Sequence, residues 1–384
     1  MIFKRSFSSE NAPENPRYSI LLLTICLVLT AAILFVLFGH VGSSGITTGT
    51  DVAIMDKFDQ FVTNNILAEL GGKLDVERSY WLNDSDKVAP KPNADCYGQS
   101  DDAVSLQWLL DDAAKVLKGQ STLFTTETPI KAGSKVQYYL DDTIFAVTWK
   151  QVVNNCTFTF SEVKIAHPSQ FRRFLSGGQY GSGVLHTTSE MAASINAVVA
   201  SAGDYYSYRP GGLVINNGTI HRNIGFNTLD TCYINNDGDL LFTRRGELNK
   251  LEELNQFVEE NNVRFSLCFG PLMLLNGENC VPGYYSLGEI NQIYPRAALC
   301  QMDKLHYVVV TANMEEPNYN RPTVAGFAKS LQDMGIPTAY TLDGGQTATI
   351  VMNNQVINTV SYGAEREISD IIYFATAIPS GQAD

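Results

Sequence analysis

Two short segments of the chain place an acid beside glycine in surroundings that could support chemistry. Leu342-Asp343-Gly344-Gly345-Gln346-Thr347 lies between two apolar runs, Thr338 to Leu342 and Ala348 to Met352. Successive glycines at a strand end let a substrate approach the backbone, whose N–H groups can hold an oxyanion or a phosphate. Asp343 then offers a carboxylate for acid–base work. Local sequence alone favours a plainer reading, a glycine-rich hairpin turn capped by Asp343. Ser201-Ala202-Gly203-Asp204-Tyr205-Tyr206 is the second segment. It sets Gly203 and Asp204 against aromatic rings able to stack on a sugar, the plainer reading being a glycine helix stop followed by core tyrosines.

Arginines are the third resource. Arg172 and Arg173 follow Pro168-Ser169-Gln170, Arg296 opens an apolar hairpin, and Arg366 precedes the last expected strand. An arginine at a strand mouth in an acidic protein is a candidate bidentate ligand for phosphate or carboxylate, against the common alternative of a surface ion pair. Histidines are few and show no paired spacing, and His306, between Leu305 and Tyr307, reads as structural. GxSxG and GxxxxGK[ST] are both missing, which argues against an α/β-hydrolase and a P-loop NTPase. There is no CxxC and no Cys/His cluster at zinc spacing, so no cofactor or metal is implied. Six of the seven cysteines follow residue 90; fifteen pairings are open to them, with buried free thiols as the equal alternative.

The elements that must position these groups are mostly hairpins. Lys135 to Leu140 and Thr143 to Lys150 alternate with period two around Asp141-Asp142, and Cys156 to Ile165 extends the pattern. Later hairpins turn at Asn217-Gly218, Asp237-Gly238, Asn276-Gly277 and near Asp303-Lys304, dipeptides that supply the positive φ of tight turns. Helices are expected at Asp51 to Leu70, Asp102 to Leu117, His186 to Ala200 (with a Thr187/Glu190 capping box), Glu247 to Asn261 and Thr323 to Met334. Trp81 to Gln99 reads as a loop, and Asp370 to Ala377 as the last strand. The class is α+β: an antiparallel or mixed sheet core of hairpins with packed helices.

A single apolar run, Ile20 to Phe38, contains no charge over nineteen residues. At 1.5 Å per residue it spans about 28 Å, enough for one transmembrane helix preceding the α+β body. Lys4, Arg5 and Arg17 precede it, and no Lys or Arg follows until Lys57, so the N-terminus is expected in the cytoplasm and the body outside it. The run is longer than the apolar part of a cleavable signal, which favours a retained anchor. The expected organisation is a cytoplasmic N-terminus (1–19), the anchor (20–38), a linker with a helical membrane-proximal region (39–130), a first extracytoplasmic part (131–200) and a main domain (201–384). A net charge of −13 argues against nucleic acid as a partner; oligomeric state is open.

From about Ser201 to Ile378 the motifs taken in order resemble the phosphodiester glycosidase family. They are Ala202-Gly203-Asp204-Tyr205-Tyr206, then Gly212 to Gly218 with Arg222, and Phe269-Gly270-Pro271-Leu272 running to Gly277. Pro295-Arg296-Ala297-Ala298, Leu342 to Thr349 and Glu365 to Asp370 complete the series. The family pattern has Asn at 202, Thr at 298, Gly at 346 and Ser at 347, where this chain carries Ala202, Ala298, Gln346 and Thr347. The resemblance implies hydrolysis of a sugar-1-phosphodiester in a phosphate-bearing envelope or exopolysaccharide glycan. It implies Asp343, Asp204 and Arg296 as catalytic groups. Gly203, Tyr205, Gly270, Gly344, Gly345, Gln346, Thr347 and Arg366 would bind substrate, with backbone donors from Gly344 and Gly345. The alternative is a non-catalytic glycan-binding or envelope-assembly protein of the same fold.

Overall fold

The computed structural model describes residues 88–100, 135–141 and 143–377, all within the second of two compact units of the chain, 50–384. The expected anchor and the helices expected at Asp51 to Leu70 and Asp102 to Leu117 lie outside the described residues. Among the described residues no helix is long and apolar enough to cross a membrane.

Alternating side chains and asparagine- or glycine-rich turns produce hairpins that merge into sheets. In the longest hairpin, Ile144–Val153 pairs in full register with Cys156–Ile165. Asn154 and Asn155 join the two with φ of 52° and 59°, the left-handed geometry a two-residue turn needs. Asn217-Gly218 and Asn276-Gly277 turn in the same way. The largest sheet has nine strands in the order Tyr97–Ser100, Val136–Leu140, Ile144–Val153, Cys156–Ile165, His306–Asn313, Arg296–Asp303, Thr338–Leu342, Leu272–Leu275 and Glu278–Asn279. A five-stranded sheet runs Gln355–Val356, Ile350–Met352, Val199–Ala202, Asp370–Phe374 and Phe171–Leu175. Three strands, Leu240–Thr243, Thr231–Asn235 and Val263–Leu267, form a third sheet, and Val214–Asn216 with Thr219–Arg222 a fourth. All these pairings are antiparallel. Strands from 131–200 and from 201–384 share both large sheets.

The sheets are held as layers by apolar burial. One core joins the inner faces of the nine- and five-stranded sheets through Val163, Val309, Tyr340, Ile350, Ile372 and Phe374. The opposite face of the large sheet packs Phe158, Val310 and Ala339 against the helix Val324–Asp333, through Phe327 and Leu331. The outer face of the five-stranded sheet is covered by the helix Thr188–Ser194, through Met191 and Ala192. Thr323 caps the first helix and Gly335, at φ 78°, ends it. The expected capping box of Thr187 and Glu190 is present.

Three local expectations are corrected by tertiary pairing. The helix expected through Ala200 stops at Ser194, because Asn196 takes a φ of 60° and Val199–Ala202 becomes a central strand. The expected loop from Trp81 to Gln99 ends in a strand, Tyr97–Ser100, which pairs with Val136–Leu140, and Tyr97 packs edge-on against Tyr139. Finally, Leu342 to Thr347 is not a hairpin turn. Its flanking strands belong to different sheets, and the glycines carry the chain from one layer to the other. The six cysteines of the described region are free thiols.

Candidate active site

The two acid–glycine segments, far apart in sequence, meet where the sheets come together. The Asp343 N–H donates to the Gly203 carbonyl over 3.4 Å, and the Gly203 N–H to the Asp370 carbonyl over 3.1 Å. Glycine is required at 203, because a Cβ there would lie 2.5 Å from Asp370 Oδ2. Glycine is equally required at 344, where a Cβ would lie 2.6 Å from the Pro295 carbonyl oxygen. Three carboxylates, Asp204, Asp343 and Asp370, are thereby gathered, each at least nine-tenths buried.

Asp204 is fully engaged. Arg209 grips it with two parallel bonds, 2.8 Å to Oδ1 and 3.0 Å to Oδ2. The backbone N–H groups of Tyr205 (2.6 Å) and Cys268 (3.0 Å) also donate to its oxygens. Burial by itself raises its pKa, yet the Arg209 charge and hydrogen bonds, Arg173 and the Cys268 N–H hold it below the usual carboxylate value. Behind it, Asp370 Oδ1 accepts the Asp204 N–H over 3.0 Å. Asp370 Oδ2 is bonded by Arg173 Nε over 2.7 Å, both side chains being fully buried. Arg173 further donates to the carbonyls of Ile215 and Ser266. Burial pushes Asp370 up to about 6, with Arg173 pulling down and the Asp204 charge pushing up.

Asp343 is different in kind. It is 7% exposed and has no ion pair within bonding distance among the described residues. Burial pushes its carboxyl up to about 7, against the Thr347 hydroxyl, the Arg366 charge and the Gly344 N–H, and with the Asp204 charge. The Thr347 hydroxyl is also 2.6 Å from the Gly344 carbonyl. It has one proton, so it can donate to an ionised Asp343, or donate to Gly344 while accepting from a protonated one. Such a carboxyl changes charge near neutral pH and has a neighbour that accommodates either form.

The mouth is aromatic and cationic. Tyr205 and Tyr208 stack with centroids 5.0 Å apart, and Phe269 meets Tyr205 edge-on. The half-buried Arg366 guanidinium lies 4.3 Å from the Tyr208 ring centroid and 5.6 Å from that of Tyr205. Burial lowers its pKa, but hydrogen bonds with Tyr205 and Tyr208, and then the Asp343 charge, raise it above the ordinary arginine value. Gln346 donates to the Ala364 carbonyl over 3.0 Å, tying the Asp343 loop to the segment that leads to Arg366.

Several residues expected at the site have structural employment instead. Arg296 donates to the carbonyls of Gly288, Glu289, Gln292 and Pro322, so it holds the 288–292 loop and is not placed to grip a phosphate. Gly345 N–H is spent on the Pro295 carbonyl over 2.8 Å and Gly344 N–H on the Asp343 carboxyl, so the expected pair of free backbone donors is not present. Gly270, at φ 68°, serves close packing: a Cβ would lie 2.3 Å from the Tyr285 hydroxyl oxygen. Ala202 is completely buried in the apolar cluster of Met191, Ala192 and Ile371. The buried His306 is bonded to Glu162 across neighbouring strands, remote in register from these groups. Sequence reading missed Arg209, and it named Asp370 and Arg173 without pairing them. The only signal was an arginine five residues after Asp204, with no means of knowing its direction. Among the described residues no group of three or more His, Cys, Asp or Glu side chains could hold a metal. A separate cavity of about 540 Å³, lined by Asn217, Asn236, Asn255, Asn262 and Arg264, shares no residue with the carboxylates.

Residues 192–375 match the phosphodiester glycosidase family model. Among solved structures, the chain is similar to the catalytic domain of zebrafish N-acetylglucosamine-1-phosphodiester alpha-N-acetylglucosaminidase, auto-inhibited by its pro-peptide. That likeness has 19% identity and a TM-score of 0.48, covering 66% of this chain and 86% of that one. It is also similar to a protein from Synechocystis at 13% identity and a TM-score of 0.48, covering 60% of this chain and 62% of that one, less than two thirds of its length. No curated protein matches the chain.

Proposed function

We propose that this protein hydrolyses a sugar-1-phosphodiester, with Asp343 as the group that moves the proton. The observation that carries the reading is a buried carboxyl raised to about 7 and facing a half-exposed arginine, inside the family-matched segment. The Arg366 guanidinium binds the diester anion, and the Tyr205/Tyr208 pair offers a face for a sugar ring. Water attacks the anomeric carbon, the bond from that carbon to the phosphate oxygen breaks, and the phosphomonoester leaves with the electron pair. Ionised Asp343 accepts the proton of the attacking water, and Thr347 then accepts a hydrogen bond from the acid so formed. A phosphomonoester is a fair leaving group, so strong protonation of it is unnecessary. Asp204 fixes the backbone of Tyr205 and Cys268 and contributes negative potential beneath the developing positive charge on the sugar.

The test is release of reducing sugar from an N-acetylglucosamine-1-phosphodiester model compound by the body from about residue 51. Release that is lost in Asp343→Asn supports the enzyme; binding of the diester without release by the wild-type chain sinks it in favour of a glycan-binding module. We further propose that the 20–38 anchor holds this body outside the cytoplasm, so that its substrates are phosphate-bearing glycans of the envelope. Protease digestion of the body in intact cells supports that placement, and protection overturns it.

A further inference from the structure

A second cleft opens at the edge of the space between the two large sheets. Its volume is about 310 Å³, at the small end of ligand-binding clefts. One side is lined by Tyr97 and Gln99 of the edge strand and by Gln137 of its neighbour, the other by Met352, Asn353 and Gln355 of a hairpin of the five-stranded sheet. Strand alternation puts Tyr97, Gln99, Gln137 and Tyr139 on one face. That face is the inner one, since Tyr139 belongs to the core between the sheets and Tyr97 packs edge-on against its ring. Outward along this pair of strands the row changes from tyrosine to amide, and the core gives way to the cleft. Across from it, Asn353 and Asn354 turn at φ of 51° and 59° directly after the buried Met352. Gly98 lets the Tyr138 ring lie across the edge strand, where a Cβ would come within 2.3 Å of its Cζ. Among the described residues, the side-chain amides of Gln99, Gln137, Asn353 and Gln355 and the Tyr97 phenol make no hydrogen bond. No residue lining the cleft is charged, in a chain of net charge −13.

We propose that this cleft is an accessory site for an uncharged oligosaccharide, separate from the buried carboxylates. A sugar hydroxyl both donates and accepts, and each amide answers with two donors and an acceptor. Tyr97 adds a ring whose phenol is available to the same hydroxyls. A phosphate or carboxylate would find no cation here, so the site does not read the diester. An extended peptide would pair with the backbone of the edge strand and leave the four amides idle. The strand Ile350–Met352 runs from the Thr347 side to this cleft, so a ligand held here lies at the other end of that strand from Asp343. The assignment does not rest on the glycosidase reading, because binding at this place needs no turnover.

The experiment titrates uncharged tetrasaccharides of glucose, galactose and N-acetylglucosamine into the full-length chain and follows binding by calorimetry. Saturable binding of at least one is expected. Replacing Gln99 and Gln355 together by Ala should weaken it ~10-fold through the lost hydrogen bonds. Both side chains are exposed and bond to nothing in the fold, so the melting temperature should not move. A sugar-1-phosphodiester with a methyl aglycone should not compete with the tetrasaccharide, and its hydrolysis should be the same in the double variant. Absence of binding by all three tetrasaccharides overturns the proposal. So does binding that survives the double substitution, or that the diester displaces. Binding of an uncharged Gly/Ser/Thr peptide in place of the sugars would overturn it in favour of strand addition. If the wild-type chain does not hydrolyse the diester, the glycosidase reading fails, and the titrations still decide the cleft.

Discussion

The floor and the mouth of the site use the same residue types to opposite ends. In the floor, Asp204 and Asp370 are each matched to a buried arginine at 2.7–2.8 Å and to backbone N–H groups. In the mouth, Asp343 has no such partner, and Arg366 lies on tyrosine faces with a share of its surface in water. A carboxylate whose lone pairs are filled cannot readily take a proton; one that is buried and under-bonded is poised to. The floor is scaffold with a field, and the mouth is where bonds can change.

The comparison breaks first at Asp343. Its replacement by Asn is expected to lower kcat ~10²- to 10⁴-fold while the folded state persists, read by turnover beside circular dichroism. Activity near wild type would return the chemistry to another group. In the floor the expected effect falls on stability: Arg209→Ala leaves Asp204 buried without its counter-charge and costs about 3–5 kcal/mol, read as a shift of the denaturation midpoint. A loss under about 1 kcal/mol would show that the floor is not held by this pair.

The two carboxylates should also differ in pH dependence. Folded Asp343 keeps its proton to about pH 7, whereas the unfolded chain releases it near pH 4. The folded state therefore binds more protons across that window, and stability falls as pH rises through it, by up to about 4 kcal/mol from this residue. Asp204 has the opposite sign: its contribution is present above the unfolded value and is lost as pH falls through its depressed folded value. Asp343→Asn should flatten the fall between about pH 4 and pH 7; an unchanged slope would assign it to Asp370, raised to about 6. In the active enzyme kcat/KM should climb as Asp343 ionises around pH 7. The smallest effect is expected at Arg366, where Ala should raise KM for the diester about tenfold with little change in melting temperature, and Lys should recover part of the loss.

Much of the frame could be read locally. Asn217-Gly218 and Asn276-Gly277 specify hairpins because positive φ is a property of the dipeptide itself. Thr187 and Glu190 mark a helix start for a similar reason. The end of that helix was not legible, because Val199–Ala202 is drawn into a sheet by strands from the far end of the chain. The Asp343 segment was legible as an acid with two glycines, but not as a crossing between layers.

What the sequence determined by itself is the set of groups available: the acid–glycine segments, the tyrosines, the arginines and the order of motifs that the phosphodiester glycosidase family model matches over 192–375. Which arginine serves which purpose was decided only by tertiary structure. Arg296, expected at the substrate, supports a loop, while Arg173 finds Asp370 across 197 residues. Charge and hydrogen-bonding capacity are fixed by residue type, but direction, burial and partner depend on contacts distant in sequence. These same contacts separate Asp204, held ionised, from Asp343, held near the point of changing charge.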